Sequence, residues 1–212
     1  MKFPANSFLV LGLFFAAASL GGCTTVVVET AQAAFEDRKS ENQIIDAKIK
    51  AGIVERLAKR DKKLIFDIST DVWNQRTMVT GTLDSLEEKN AVVALAKKDK
   101  RIKSFYDNIQ IVTPQLREQR RKDSETKNTS SKSGFGQFLN DFWIEAKIKA
   151  KLLTASDVTS INYRWRSVLN NIYVIGQSPD SKELSKVLGL IRSTEGVKQI
   201  KHYIRIKPNM SS

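Results

Sequence analysis

Two stretches of this chain repeat one another, and a repeat constrains a fold more than local propensity does, because both copies must share one architecture. The run Ile45-Asp46-Ala47-Lys48-Ile49-Lys50-Ala51 returns as Ile144-Glu145-Ala146-Lys147-Ile148-Lys149-Ala150. Val79-Thr80-Gly81 recurs as Val174-Ile175-Gly176, and Ile109-Gln110-Ile111 as Ile204-Arg205-Ile206. The spacing is 99 at the first match and 95 at the other two, which predicts four extra residues in the first copy between its opening helix and its second strand.

Each copy reads as helix, strand, strand, helix, strand. On the opening helices Ile45, Ile49 and Ile53 share a face, as do Ile144, Ile148 and Leu152, and Asn42 and Asp141 stand where N-caps are expected. In the second copy Ile161, Tyr163 and Trp165 alternate with Asn162, Arg164 and Arg166, the period of a sheet with one buried face. Asn170-Asn171 is predicted to turn the chain into the next strand. The first copy repeats this with Phe66 and Ile68, then residues 78–80. Capping boxes open the second helices, at Ser85 with Glu88 and at Asp180 with Glu183. The expected class is α+β, each unit a three-stranded mixed sheet covered by two helices. Units of about 70 residues bury only about 60% of their unfolded surface, so the two are expected to pack on each other.

The N-terminus bears on compartment. Lys2 precedes an apolar run over residues 8–18, too short to span a bilayer, and the segment closes on Leu20-Gly21-Gly22-Cys23. A signal peptide over 1–22 is expected, with Cys23 as the lipidated first residue of the mature chain. Cys23 is the one cysteine, so no internal disulfide is possible. Thr24 in place of an aspartate agrees with sorting to an outer membrane. The remaining divisions are a tether over 23–41, a first domain over 42–113, a basic polar linker over 114–137, a second domain over 138–208 and a tail over 209–212. The chain carries a net charge of +12, and without residues 1–22 it keeps +11 from 34 basic and 23 acidic residues. Export to an envelope excludes nucleic acid and leaves an anionic membrane as the partner for that charge.

No catalytic constellation stands out. His202 is the lone histidine, on strand parity with Ile204 and Ile206, and there is no HxxxH, CxxC or Gly-rich phosphate loop. An enzyme is not expected, nor a metal or cofactor. The asymmetry between the copies is more informative: Gln43-Ile44 in the first faces Phe142-Trp143 in the second, which Phe135, Phe138 and Leu139 precede. Trp143, Lys147 and Lys151 follow at intervals of four, off the buried face. Tryptophan favours a headgroup boundary and each lysine adds about 1 kcal/mol near an anionic surface. Equally, Phe142 and Trp143 would serve to glue the domains together, and Arg117, Arg120, Arg121 and Lys122 would serve as a solvated run or as phospholipid contacts.

Asn140-Asp141-Phe142-Trp143-Ile144 with Lys147, Ile148 and Leu152-Leu153-Thr154 resembles the opening helix of a BON domain (bacterial OsmY and nodulation). Gly81 and Gly176, and the closing Gly196-Val197 with Ile200 and Ile204, also fit that family, in the form where one lipoprotein carries two such domains. The first copy departs from it in having Arg101 for Gly196 and a longer loop around Asp61-Lys62-Lys63. The resemblance implies two αββαβ domains in a non-enzymatic protein on the periplasmic face of the outer membrane. It further implies anionic phospholipid binding through Phe142, Trp143, Lys147 and Lys151, support of envelope integrity, and proximity to envelope assembly or division proteins for which the chain would act as an adaptor.

Overall fold

The computed structural model describes residues 36–126 and 137–208, apart from the side chains of 124–126 and 137–139. The expected signal segment, Cys23 and the tail lie outside the described residues. The first repeat runs α1 (Ser40–Arg60), α2 (Leu64–Asp67), β1 (Ile68–Trp73), β2 (Arg76–Leu83), α3 (Leu86–Ala96) and β3 (Ser104–Ile111). After α4 (Pro114–Thr126), the second runs α5 (Gln137–Thr154), a 3-10 turn (Ser160–Asn162), β4 (Tyr163–Val168), β5 (Asn171–Ser178), α6 (Ser181–Arg192) and β6 (Gln199–Ile206). Each sheet has its second strand at the centre, paired antiparallel with the first and parallel with the third. The α+β class and the three-stranded mixed sheets are as expected.

Every strand of the second repeat stands 95 residues after its counterpart. The helices obey the same offset: α1 buries Ile49, Ile53 and Leu57, and α5 buries Ile144, Ile148 and Leu152. The expected spacing of 99, and with it the longer first-copy loop, is therefore wrong by one helical turn. Apolar residues four apart bring a helix face back onto itself when it is shifted by four residues, so local identity selected the wrong register. In the true register Phe142 and Trp143 answer to Ala47 and Lys48, not to Gln43 and Ile44.

What marks the register is a carboxylate. The two-residue hairpin loops carry positive φ at Asn74 (49°) and Gln75 (62°), and at Leu169 (54°) and Asn170 (67°). The expected turn at Asn170-Asn171 thus begins one residue earlier. These loops have no glycine, and a non-glycine residue in the left-handed region costs about 1–2 kcal/mol. Asp46 offsets that strain by accepting the N–H groups of Asn74 (2.7 Å) and Gln75 (2.7 Å). Asp141 accepts those of Leu169 (2.9 Å) and Asn170 (2.8 Å), and the Ser167 hydroxyl (2.6 Å). Neither expected N-cap is one: α1 starts at Ser40, ahead of Asn42, and α5 starts at Gln137, ahead of Asp141. The helix caps at Ser85 and Asp180 are as expected, each accepting from the backbone N–H of the glutamate three residues on.

Residues 114–126, expected as polar linker, form the helix α4, with Pro114 at its first position where a missing N–H costs nothing. Ion pairs hold it. Arg117, 6% exposed, lies 2.8 Å from Asp67, 2.8 Å from Asp84 and 2.5 Å from Glu88. Arg121 joins it on Asp67 at 2.5 Å. Burial alone would lower the Arg117 guanidinium, but these carboxylates raise it above its ordinary value. Arg120 reaches Asp141 at 2.8 Å, tying α4 to the start of the second repeat. Within the expected tether, Glu36 pairs with Arg164, and Asp37 sits 2.7 Å from Lys207.

Each sheet has its own helices on one face. Ile68, Val72, Val79, Leu83 and Ile109 pack under α1 and α3, and Tyr163, Ile172, Val174 and Ile204 under α5 and α6. The opposite faces meet each other, so the two units pack together as expected, and all eight residues of β2 are buried. There Trp73, Met78 and Ile175 cluster with Tyr106, Tyr173 and Tyr203. Tyr106 stacks on Tyr203 at 3.8 Å between centroids. Arg76, 2% exposed, donates to the carbonyls of Gly176 (2.7 Å) and Tyr203. Arg166 grips Asp71 in two bonds of 2.8 and 2.9 Å, and the Tyr203 hydroxyl donates to Asn108 at 2.7 Å. Residues 71 and 166, and 108 and 203, are equivalent positions of the two repeats. Equivalent residues meet in this way only about a two-fold axis.

Two outcomes follow for urea unfolding. Asp141→Ala should destabilise by about 3 kcal/mol or more, because it strands two strained amides and Arg120, while Asn42→Ala should stay within about 0.5 kcal/mol. Asp71→Arg sets like charges face to face and should cost about 3 kcal/mol; adding Arg166→Asp should recover most of it.

Candidate functional site

The start of α5 is held from below. Asp141 is buried and fixed by the hairpin amides and Arg120, and Ile144 is seated in the core. Residues 142 and 143 lie between these two fixed points of the helix. Trp143 points outward and is 60% exposed. Phe142 is half-buried and meets it edge to face, with ring centroids 5.6 Å apart. The other two tryptophans are placed differently: Trp73 is fully buried between the sheets, and Trp165 is half-buried with its indole N–H donated to the Glu145 carbonyl at 3.3 Å.

One turn further, Lys147 places its ammonium 2.6 Å from Glu195, and that ion pair holds the Glu195 carboxyl below its ordinary value. Lys151 donates to the Ser193 carbonyl (2.7 Å) and hydroxyl (3.1 Å) at the end of α6. Both lysines are exposed or half-buried, and such surface contacts are worth about 0–1 kcal/mol, so either ammonium can be redirected to an incoming anion at small cost. The loop carrying Glu195 approaches α5 closely because residue 196 is glycine. Its φ is +91°, and a Cβ there would meet the Ile144 Cδ1 at 3.0 Å. Leu153, 60% exposed near the far end of α5, belongs to the outer side of the helix and was not picked out by residue type.

The structure therefore brings Phe142, Trp143, Lys147 and Lys151 together on one helix. The sheet faces join the repeats, and Trp143 stands 60% exposed. Phe142 lines a cleft of about 150 Å³ between the repeats, across from Phe66 on α2. Phe66, expected in the first strand, is 50% exposed. Of the basic residues after 113, Arg117, Arg120 and Arg121 are engaged by carboxylates of the fold, and Lys122 is exposed. Cys23 lies outside the described residues. His202 is exposed on β6. Among the described residues there is no group of His, Cys, Asp and Glu suited to a metal ion, and no helix long and apolar enough to cross a membrane.

Comparison with known proteins places this geometry. A relative from Anaplasma centrale, described as an uncharacterized protein in the gshII 5′ region, is 27% identical over 140 residues, covering 66% of this chain and 82% of that one. Two solved structures of CdsD, a structural protein of the type III secretion system of Chlamydia trachomatis, also match. The first is 9% identical with a TM-score of 0.32 over 76% of this chain and 92% of that one. The second, its C-terminal domain, is 10% identical with a TM-score of 0.30 over 81% and 100%. Likeness at that level carries no argument about fold or role. The BON domain matches residues 45–113 and 140–208, two spans offset by the same 95 residues as the strands, and the chain belongs to the BON domain family with two copies of the domain.

Proposed function

We propose that this chain is a non-enzymatic envelope lipoprotein, anchored through Cys23 on the periplasmic face of the outer membrane. In this reading its second BON domain binds anionic phospholipid and supports the integrity of that membrane. The observation that carries the reading is Trp143, a large aromatic side chain left 60% exposed in the second turn of α5, on the same helix as Lys147 and Lys151. An indole prefers the headgroup boundary, where its ring leaves water while its N–H stays hydrogen-bonded. Lysines one and two turns on supply attraction to phosphate, and the net charge of +11 that remains without residues 1–22 attracts the whole molecule to an anionic surface. Acyl chains on Cys23 would hold the protein at the bilayer, so the helix contact sets orientation and lipid preference rather than residence.

A soluble form of residues 24–212 should bind vesicles containing phosphatidylglycerol and ignore purely phosphatidylcholine ones. Trp143→Glu removes a ring burial worth about 2–3 kcal/mol and adds a repelled carboxylate, so binding should fall roughly 30-fold or more. Ile44→Glu, at an exposed site of the first domain, should change it little. Raising salt should weaken binding without abolishing it, since screening acts on the lysines and not on the buried ring. Unchanged vesicle binding by a folded Trp143→Glu protein would remove this site from the function.

A further inference from the structure

The segment joining α1 to β1 differs in chemistry between the repeats although the backbone offset is constant. The first repeat has Arg60, Lys62 and Lys63, all exposed, followed by Ile65 (44% exposed) and Phe66 (50% exposed) on α2. At the equivalent positions the second repeat has Ala155, Asp157 and Val158, then Ser160 and half-buried Ile161. Leu64, on the same short helix, is fully buried in the core of the first domain and anchors it. The two apolar side chains left outside are therefore held in place rather than free to fold inward. Asp67, the last residue of α2, is gripped by Arg117 and Arg121, which fixes the helix from its other end.

Exposed cations followed at once by exposed apolar side chains on an anchored turn match the layered chemistry of an anionic bilayer surface, phosphate outside and acyl chain within. The position agrees. Phe66 of the first repeat and Phe142 of the second line one cleft, which Asp67, Arg120 and Asp141 also line, and Phe142 touches Trp143, so the outer apolar residues of both repeats flank the same cleft.

We propose that residues 60–66 are a second membrane-contact element, in which Ile65 and Phe66 enter the headgroup boundary of the anionic bilayer that Trp143 contacts while Lys62 and Lys63 meet its phosphates. The inference rests on the membrane reading of Trp143 and extends it to the first BON domain, so that the protein stands on the bilayer at two points.

The test uses residues 24–212, which lack the acyl anchor, with vesicles of phosphatidylcholine and phosphatidylglycerol brominated on the acyl chain close to the glycerol, whose bromine quenches only indoles that enter the headgroup boundary. Three proteins are compared: the parent, Trp143→Phe, and Trp143→Phe with Phe66→Trp. Fluorescence lost in the parent beyond that in Trp143→Phe reports residue 143, and fluorescence lost in the double variant beyond the same background reports residue 66. Quenching at both positions is expected. In that double variant, neutralising Lys62 and Lys63 to Gln should shift the vesicle concentration needed for half-quenching at residue 66 upward by roughly 10- to 30-fold. Quenching at 143 with none at 66 overturns this inference and leaves the second-domain site standing. Quenching at 66 alone upholds the element and overturns the assignment of Trp143, and quenching at neither removes both.

Discussion

Each three-stranded sheet in this chain has two faces and helices for only one of them. That constraint governs the rest of the structure. The uncovered faces carry Trp73, Met78 and Tyr106 in one repeat and Ile175, Tyr173 and Tyr203 in the other, too much apolar surface to leave in water at this size. Turning the sheets onto one another buries them together and leaves every long helix of the BON domains on the outside. Arg76 shows how tightly the faces close, since the two terminal nitrogens of its buried guanidinium donate to carbonyls of the opposite repeat, which offsets part of the cost of burying it.

A polar framework complements that closure. Asp46 and Asp141 each reach from an opening helix to a strained hairpin, making helix, turn and sheet one rigid body in each repeat. The same Asp141 receives Arg120 from α4, and α4 is bound to the first repeat by Arg117 and Arg121 on Asp67. One chain of charged contacts thus crosses from the first domain to the residue directly before Phe142. The aromatic pair at 142 and 143 inherits its orientation from that framework, and this is the kind of support a surface site needs if it is to hold one geometry.

Duplication has left the two domains alike inside and different outside. Core positions answer one another at 95 residues, whereas Lys48 stands opposite Trp143 and Phe66 opposite Ile161. Arginines near the repeat junction are largely committed to carboxylates of the fold, among them Arg117, Arg120, Arg121, Arg164 and Arg166. Much of the surface charge is left to lysine, whose flexible stem suits contact with a fluid array of phosphates better than with a fixed partner.

The order of elements, the apolar faces of α1 and α5, the caps at Ser85 and Asp180 and the oddity of Trp143 were all legible in the sequence, because each depends on residues within a turn or two of one another. The register of the opening helices was not, since a face built on intervals of four looks the same after a shift of four. The buried faces of the two helices, and the amide hydrogen bonds that Asp46 and Asp141 accept from turns nearly 30 residues away, distinguish the two alignments. The same holds for α4, which has no apolar stripe and is a helix because Asp67, Asp84 and Glu88 wait for Arg117. It holds again for Phe66, which alternation assigned to a buried strand and tertiary packing left at the surface. Local spacing by itself determined two copies of one small α+β unit; which side of each unit meets water was decided by the other copy, through contacts about 100 residues apart that no local pattern encodes.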